Sequence, residues 1–317
     1  MPFNAVFLDS ATLDDLDFSS LHASFERLTL HSASAPEQVI ERLRGAQVAI
    51  SNKVILDEAV LGACLELKLV LVSATGTNNV DLAAARARGI TVCNCQGYGT
   101  ASVAQHCLML LLALAGNLSD YQAAMRAGRW QQAPQFCLLD FPIIELAGKT
   151  LGILGHGELG SAVARLAEAF GMRVLLGQLP GRPARPGHLP LDQLLPQVDV
   201  LSLHCPLTEQ TRNLIGAREL AQLKPGALLI NTARGGLVDE QALADALRSG
   251  QLGGAASDVL SEEPPRNGNP LLAPDIPRLI LTPHCAWGSR EARQRILEQL
   301  AENGRAFRAG TPLRVVG

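Results

Sequence analysis

Short aliphatic and β-branched runs alternate with helix-length stretches along almost the whole chain. In the first hundred residues the runs are Ala5-Val-Phe-Leu-Asp9, Gln47-Val-Ala-Ile-Ser51, Leu69-Val-Leu-Val-Ser73 and Ile90-Thr-Val-Cys93. Helical patterns fill Asp57 to Leu65 and Asp81 to Arg88, the second stopped by Gly89. Apolar strands that alternate with helices predict a parallel sheet covered on both faces. A turn-rich stretch, Gln96 to Thr100, leads into a long apolar helix from about Ala101 to Ala115, and the alternation restarts at Thr150. The second set of predicted strands is Leu151–Leu154, Met172–Leu176, Val198–Leu203, Ala227–Asn231, Gly254–Asp258 and Leu279–Thr282, with Glu158–Phe170 and Asp239–Leu247 the clearest helices between them. Gly177 to Pro190 and Pro264 to Pro277 are dense in Pro and Gly and are expected to be loops. The last helix, Arg290 to Phe307, has no strand after it. Chain ends often lie close together, so this helix is expected to return to the first domain and make it discontinuous.

Composition narrows the function classes. A chain of 317 residues with 47% apolar and 18% charged residues folds, and its length fits two domains. Lys+Arg 27 against Asp+Glu 30 gives a net charge of -3 without a long basic block, which argues against nucleic acid and anionic membrane as partners. The longest apolar run, Cys107 to Ala115, is far short of the ~20 residues of a membrane span. Met1 to Ser10 carries Asp9 and no basic region, so no secretory signal is expected and the cytoplasm is the predicted location. Seven cysteines at irregular spacing, without a C-x-x-C pair, predict free thiols and no metal centre.

Gly155-His-Gly-Glu-Leu-Gly160 matches G-x-G-x-x-G, follows a predicted strand and opens a predicted helix. In that context Gly155 permits the tight turn, Gly157 lets a pyrophosphate approach the backbone, and Gly160 permits close packing. The helix start, with His156, Glu158 and Leu159, offers N–H groups to the anion. Ligands of open α/β sheets bind beyond the carboxyl ends of the strands, and three charged residues stand there: Arg234, Glu263 and His284. An arginine grips a carboxylate or carbonyl oxygen. A histidine exchanges a proton near neutral pH, and a glutamate fixes its tautomer and favours its charged form. With a dinucleotide supplying hydride, this is equipment for reducing a carbonyl. His204 also follows a strand, but Pro206 and the lack of a nearby acid make it the weaker candidate. The adjacent pairs His204-Cys205 and His284-Cys285 suggest nucleophilic catalysis, yet neighbours on an extended chain point to opposite faces.

The ordered motifs Gly155–Gly160, His204-Cys-Pro-Leu-Thr208, Leu223-Lys-Pro-Gly226, Asn231-Thr-Ala-Arg-Gly-Gly-Leu-Val-Asp239, Asp258-Val-Leu-Ser-Glu-Glu-Pro264 and Thr282-Pro-His284 span nearly the whole chain. Together they resemble the D-isomer-specific 2-hydroxyacid dehydrogenases. The resemblance implies α/β architecture with two doubly wound parallel-sheet domains. A Rossmann-type cofactor domain (99–286) is then inserted in a flavodoxin-like substrate domain (1–98 and 287–317). It implies that Arg234 binds substrate, Glu263 pairs with His284 and His284 is the acid/base. It further implies that backbone N–H groups at Thr75 and Gly76, in Ala74-Thr-Gly-Thr-Asn-Asn-Val-Asp81, take the substrate carboxylate, and that Cys205, Pro206, Thr232, Ala233 and Asp258 line the cofactor. Ser102-Val-Ala-Gln-His106 and Pro283-His-Cys-Ala-Trp-Gly288 resemble the glycerate dehydrogenases, also called hydroxypyruvate reductases, so the expected substrate is hydroxypyruvate or glyoxylate. Trp287 could shape a small pocket or pack at the hinge, and Lys53, after a strand, could reach substrate. The resemblance also implies a homodimer, for which Tyr121 to Phe141 is the reaching segment and Trp130 and Phe136 the anchors. Two alternatives stand beside this: a corepressor-like protein that senses dinucleotide, and a D-lactate-type dehydrogenase.

Cofactor choice follows from one count. NAD-selective folds place Asp or Glu about 20 residues past the glycine loop. Here that position is Gly177 or Gln178, no acid occurs through Pro190, and Arg182 and Arg185 stand where a 2′-phosphate would emerge. NADPH is expected over NADH, with NAD as the second cofactor.

Overall fold

Strand β1 (Asn4–Phe7), β2 (Arg27–Leu30), β3 (Val48–Ser51), β4 (Leu69–Val72) and β5 (Thr91–Cys93) pair in parallel in the order β2-β1-β3-β4-β5. β3 and β4 are buried at every position, which is why they read as unbroken apolar runs. The structure, a computed structural model, describes residues 3–317. The chain divides into two compact units, Met1–Gly99 with Gly288–Gly317, and Thr100–Trp287. In the first unit the C-terminal helix Arg290–Arg308 is capped by the Ser289 hydroxyl, which accepts from Ala292 N–H. Its fully buried Asn303 donates from Nδ2 to Asn94 O at 3.0 Å, just after β5.

In the second unit β6 (Thr150–Leu154), β7 (Arg173–Gly177), β8 (His188–Leu189), β9 (Val200–Leu203), β10 (Ala227–Asn231), β11 (Leu252–Ser257) and β12 (Leu279–Leu281) form a parallel sheet in the order β12-β11-β10-β9-β6-β7-β8. Strand order reverses between β6 and β9. One face packs Ile153, Val200 and Leu228 beneath the helices Thr100–Ala115 and Glu158–Ala169; the other packs Leu154, Leu201 and Leu229 against Leu194, Leu220 and Leu243. The helix Thr100–Ala115 buries Val103, Ala104, Cys107, Leu108, Leu111 and Leu114, the one-stripe spacing of a helix laid on a sheet. Among the described residues no single helix is long and apolar enough to cross a membrane.

Two strands depart from the expected pattern. β2 is an edge strand whose residues are half-buried or exposed, so its sequence lacks the apolar run of a central strand. β8 lies inside the stretch expected to be loop. Its two residues pair with Leu176 and Gly177 only because the Pro/Gly-rich excursion turns back onto the sheet edge.

Candidate active site

The glycine loop leaves β6 at the point where strand order reverses. Gly155 has φ +99, and a Cβ there would meet the backbone of His204 and Cys205 at about 2.5 Å. At Gly160 a Cβ would meet Gly155 O at 2.1 Å. Both glycines are therefore demanded by the fold itself. Gly157 differs: a Cβ there meets nothing within 4 Å, its φ of -93 is open to any residue, and it caps the N-terminus of Glu158–Ala169 without a side chain. Space is kept over the first, unpaired N–H groups of the helix, as an anionic ligand requires. Two buried polar atoms at the ends of the neighbouring strands, His204 Nδ1 and Thr232 Oγ1, have no hydrogen-bond partner among the described residues. The cradle and these atoms fit a dinucleotide. Cys205 is buried against Gly155, with its thiol pushed up to about 11 by burial, while Pro206 is exposed and Ala233 is fixed by its N–H donating to Asn231 Oδ1 (3.0 Å).

Beyond β7, a Cβ at Gly177 would strike Leu154 Cδ2 at 2.2 Å, so the next residue, Gln178, is the first that can carry a side chain outward. Its Nε2 donates to the carbonyls of Leu179, Arg182 and Pro183 (each 3.1 Å), and its Oε1 accepts Arg185 N–H (3.1 Å). A neutral amide thus organises the loop where NAD-selective folds carry an acid, and Arg182 and Arg185 lie exposed on it. His156, in the glycine loop, meets His188 edge-on with ring centroids 6.2 Å apart, and Glu158 Oε1 accepts from Thr100 Oγ1 at 2.6 Å.

At the ends of β10, β11 and β12 the chemistry-bearing residues gather. His284 Nδ1 lies 2.6 Å from Glu263 Oε2, a charge-assisted distance. Glu263 Oε1 accepts Leu260 N–H (3.0 Å), which holds the carboxylate in its own loop. With Nδ1 engaged, Nε2 is the nitrogen left for proton exchange. Arg234 begins the turn Gly235–Leu237 and donates from Nη1 to Ala233 O (2.7 Å). The Gly235 backbone presses on Leu260 so closely that a Cβ would sit 1.9 Å from its carbonyl carbon, which locks the Arg234 turn to the Glu263 loop.

His284 has φ +51, an unfavourable conformation for a side-chain-bearing residue that survives only where its surroundings over-determine it. Its N–H donates to Asp258 O (2.8 Å), and its carbonyl accepts Trp287 Nε1 (2.9 Å). Trp287 therefore braces the histidine's own backbone. Asp258, 1% exposed, accepts Thr282 Oγ1 (2.5 Å) and Cys285 N (3.0 Å) on Oδ1, and Ala286 N (2.9 Å) on Oδ2. His106 Nε2 reaches Thr282 Oγ1 at 3.0 Å. Neither His106 nor Thr282 stands out in the sequence as part of the site. They are 176 positions apart, so spacing along the chain offers no signal. The adjacent His–Cys pairs diverge: His284 turns to Glu263 while Cys285 Sγ turns to Asp258 (3.7 Å), and His204 Nε2 turns to Ser202 Oγ (2.8 Å). Burial pushes the Cys285 thiol up, and the Asp258 charge pushes it further.

In the first unit, Thr75 and Gly76 lie on the loop after β4. Thr75 Oγ1 donates to Cys95 O (2.9 Å), and Asn94 Nδ2 donates to Thr75 O (2.7 Å), so the loop is tied to the end of β5. Lys53 follows β3 with an exposed side chain, and the Asp9 carboxylate accepts the N–H groups of Asn52 (2.8 Å), Lys53 (2.6 Å) and Val54 (3.2 Å).

Strand order that reverses at a glycine loop makes the larger unit a dinucleotide-binding domain, and a carboxylate-held histidine at the carboxyl ends of the same sheet adds an acid/base group to it. Residues 108–286 match the D-isomer specific 2-hydroxyacid dehydrogenase, NAD binding domain. The chain is 45% identical to a glycerate dehydrogenase of Methylorubrum extorquens, covering 100% of this chain and 99% of that one, and 38% identical to a hydroxypyruvate reductase of Blautia hydrogenotrophica, covering 98% of each. It superposes on the crystal structure of the TT0316 protein from Thermus thermophilus with a TM-score of 0.86, at 35% identity and with 99% and 100% of the two chains covered. The protein belongs to the D-isomer specific 2-hydroxyacid dehydrogenase family.

Proposed function

We propose that the protein reduces hydroxypyruvate or glyoxylate to the D-2-hydroxy acid, with NADPH preferred over NADH. The observation that carries the reading is the Glu263–His284 pair at 2.6 Å at the carboxyl ends of the dinucleotide sheet. A bound nicotinamide dinucleotide supplies the hydride. His284 Nε2 gives its proton to the carbonyl oxygen as hydride adds to the carbonyl carbon, and Glu263 fixes the ring through Nδ1. Arg234 pairs with the polarised oxygen or carboxylate of the substrate, and the backbone N–H groups of Thr75 and Gly76 take the carboxylate. Lys53 and Trp287 complete the substrate set, Trp287 through its bond to the His284 carbonyl. Gly155–Gly160 would hold the cofactor's pyrophosphate, and Cys205, Pro206, Thr232, Ala233 and Asp258 would line it along the strand ends. The preference for a 2′-phosphate rests on Gln178 standing in for an acid and on the exposed Arg182 and Arg185.

A kinetic panel of hydroxypyruvate, glyoxylate, pyruvate and 2-ketobutyrate with both reduced cofactors tests this directly. The highest kcat/KM should fall on hydroxypyruvate or glyoxylate; a clear preference for pyruvate would move the protein to the D-lactate type.

The working unit is a homodimer in the cytoplasm. Leu118, Trp130, Phe136, Leu139 and Ile143 leave a run of exposed apolar side chains along and after the helix Leu118–Arg126, with Phe136 91% exposed. Trp130 Nε1 donates to Phe136 O (2.9 Å), so the segment is folded upon itself and presents a preformed apolar surface to a second copy. Seven free thiols suit a reducing compartment. Sedimentation at micromolar concentration should give the mass of two chains, and a monomer would refute the pairing.

A further inference from the structure

His106, Asp258 and Cys285 come from three distant stretches: the helix Thr100–Ala115, the turn after β11 and the loop after β12. His106 Nε2 lies 3.5 Å from Asp258 Oδ1, Cys285 Sγ lies 3.7 Å from the same oxygen, and all three donor atoms fall within 4.8 Å of one another. We propose that these side chains form an inhibitory site for a borderline-soft divalent cation of the zinc class.

Geometry and donor chemistry both point there. Tetrahedral zinc with bonds of about 2.0–2.3 Å sets its ligands roughly 3.3–3.7 Å apart. Two of the three separations already meet that requirement, and the third needs to close by about 1 Å at most. A nitrogen, an oxygen and a sulfur are the set that zinc accepts and that magnesium or calcium does not. Asp258 is a rigid ligand, since the N–H groups of Cys285 and Ala286 orient its carboxylate. Cys285 is exposed, which gives the ion an entry path and leaves a fourth position for water. The competitor is the Thr282 hydroxyl, which lies between His106 Nε2 (3.0 Å) and Asp258 Oδ1 (2.5 Å). The ion must therefore displace that hydroxyl, with Thr282 turning about χ1 as it enters, and the Cys285 thiol releases its proton to solvent as the sulfur binds.

Binding there reaches the chemistry through the backbone. The same Asp258 holds His284 N–H on its carbonyl and Cys285 N–H on its carboxylate, so closing the remaining gap between His106 Nε2 and Cys285 Sγ on one ion pulls on the loop that keeps His284 against Glu263. Turnover should fall when the ion binds. Nothing in the sequence announces the site, because its ligands share no local spacing.

The test begins with chelator-treated protein. Zinc should bind with one equivalent per chain in competition with a chromogenic chelator and inhibit turnover reversibly on adding EDTA. Cobalt in its place should show a thiolate-to-cobalt charge-transfer band. Cys285→Ser keeps the backbone N–H and should turn over as the parent while losing the cobalt band and most of the zinc inhibition. Cys285→Ser and His106→Gln should each weaken zinc binding by about tenfold or more. Absence of stoichiometric zinc binding to the parent, or a Cys285→Ser variant inhibited as strongly as the parent, would overturn the proposal; the second result would place the ion on the Glu263–His284 pair instead.

Discussion

Gly157→Ala separates what the glycine loop does for the fold from what it does for the cofactor. On the protein side the change is nearly silent. The new Cβ meets no atom within 4 Å, and the backbone at φ -93 accepts alanine. Reduced freedom of the unfolded chain stabilises by about 0.4–1 kcal/mol, and the poorer N-cap costs a similar amount. The net change should stay within about 0.5 kcal/mol, a shift in Tm of under about 2 °C. The cofactor meets a different situation, because the methyl group occupies the space through which a pyrophosphate would reach the helix N–H groups. Loss of one charge-assisted hydrogen bond, at about 1.5–3 kcal/mol, raises Kd roughly 10- to 100-fold. Gly160→Ala is the control: its Cβ would lie 2.1 Å from a backbone oxygen, so it should lower stability by about 1–3 kcal/mol as well as binding. Thermal melts of the cofactor-free proteins and fluorescence titration with NADPH read the two effects separately. If Gly157→Ala binds NADPH as the parent does, or melts several degrees lower, the space over Gly157 is not a pyrophosphate seat.

His284→Gln should reduce kcat by about 10²- to 10⁴-fold while leaving the Kd of NADPH within a factor of about 3, measured by steady-state kinetics and fluorescence; a variant keeping most of its turnover would remove His284 from the chemistry. Arg182→Ala should narrow the NADPH:NADH ratio of kcat/KM by about 10-fold, the worth of one charged contact to phosphate, and an unchanged ratio would shift the role to Arg185 or elsewhere. Burial pushes the pKa of His204 down to about 4 from its ordinary 6.5, so the folded protein resists a proton that the unfolded chain accepts. Its contribution to stability is complete above pH 6.5 and is lost as pH falls towards 4, amounting to no more than about 3 kcal/mol across that window. Urea midpoints at pH 7 and pH 5 should show this decline in the parent and a smaller one in His204→Gln; equal declines would mean that His204 is not buried in its neutral form.

Local pattern carried the alternation of elements and showed which charged residues stand at the strand ends. Strands such as Leu69–Val72, buried on both faces, and helices such as Glu158–Ala169, opened by glycine, carry their identity in a few neighbouring residues. Arg234, Glu263 and His284 are likewise legible because each follows a strand, and parallel strands deliver their carboxyl ends to one side of a sheet. What local pattern could not supply was decided by residues far apart in the chain. β8 exists only because its loop folds back on β7, and β2 has an edge strand's mixed exposure. The acid missing from the end of β7 is replaced by a Gln178 amide that takes its meaning from three carbonyls brought round to it. Asp258 shows the difference most plainly: by motif it is a residue beside the cofactor, whereas in the folded protein its buried carboxylate gathers Thr282, Cys285 and Ala286 into the turn that presents His284. A buried charge must find its hydrogen bonds wherever the fold supplies them, and those partners are set by packing rather than by spacing along the chain.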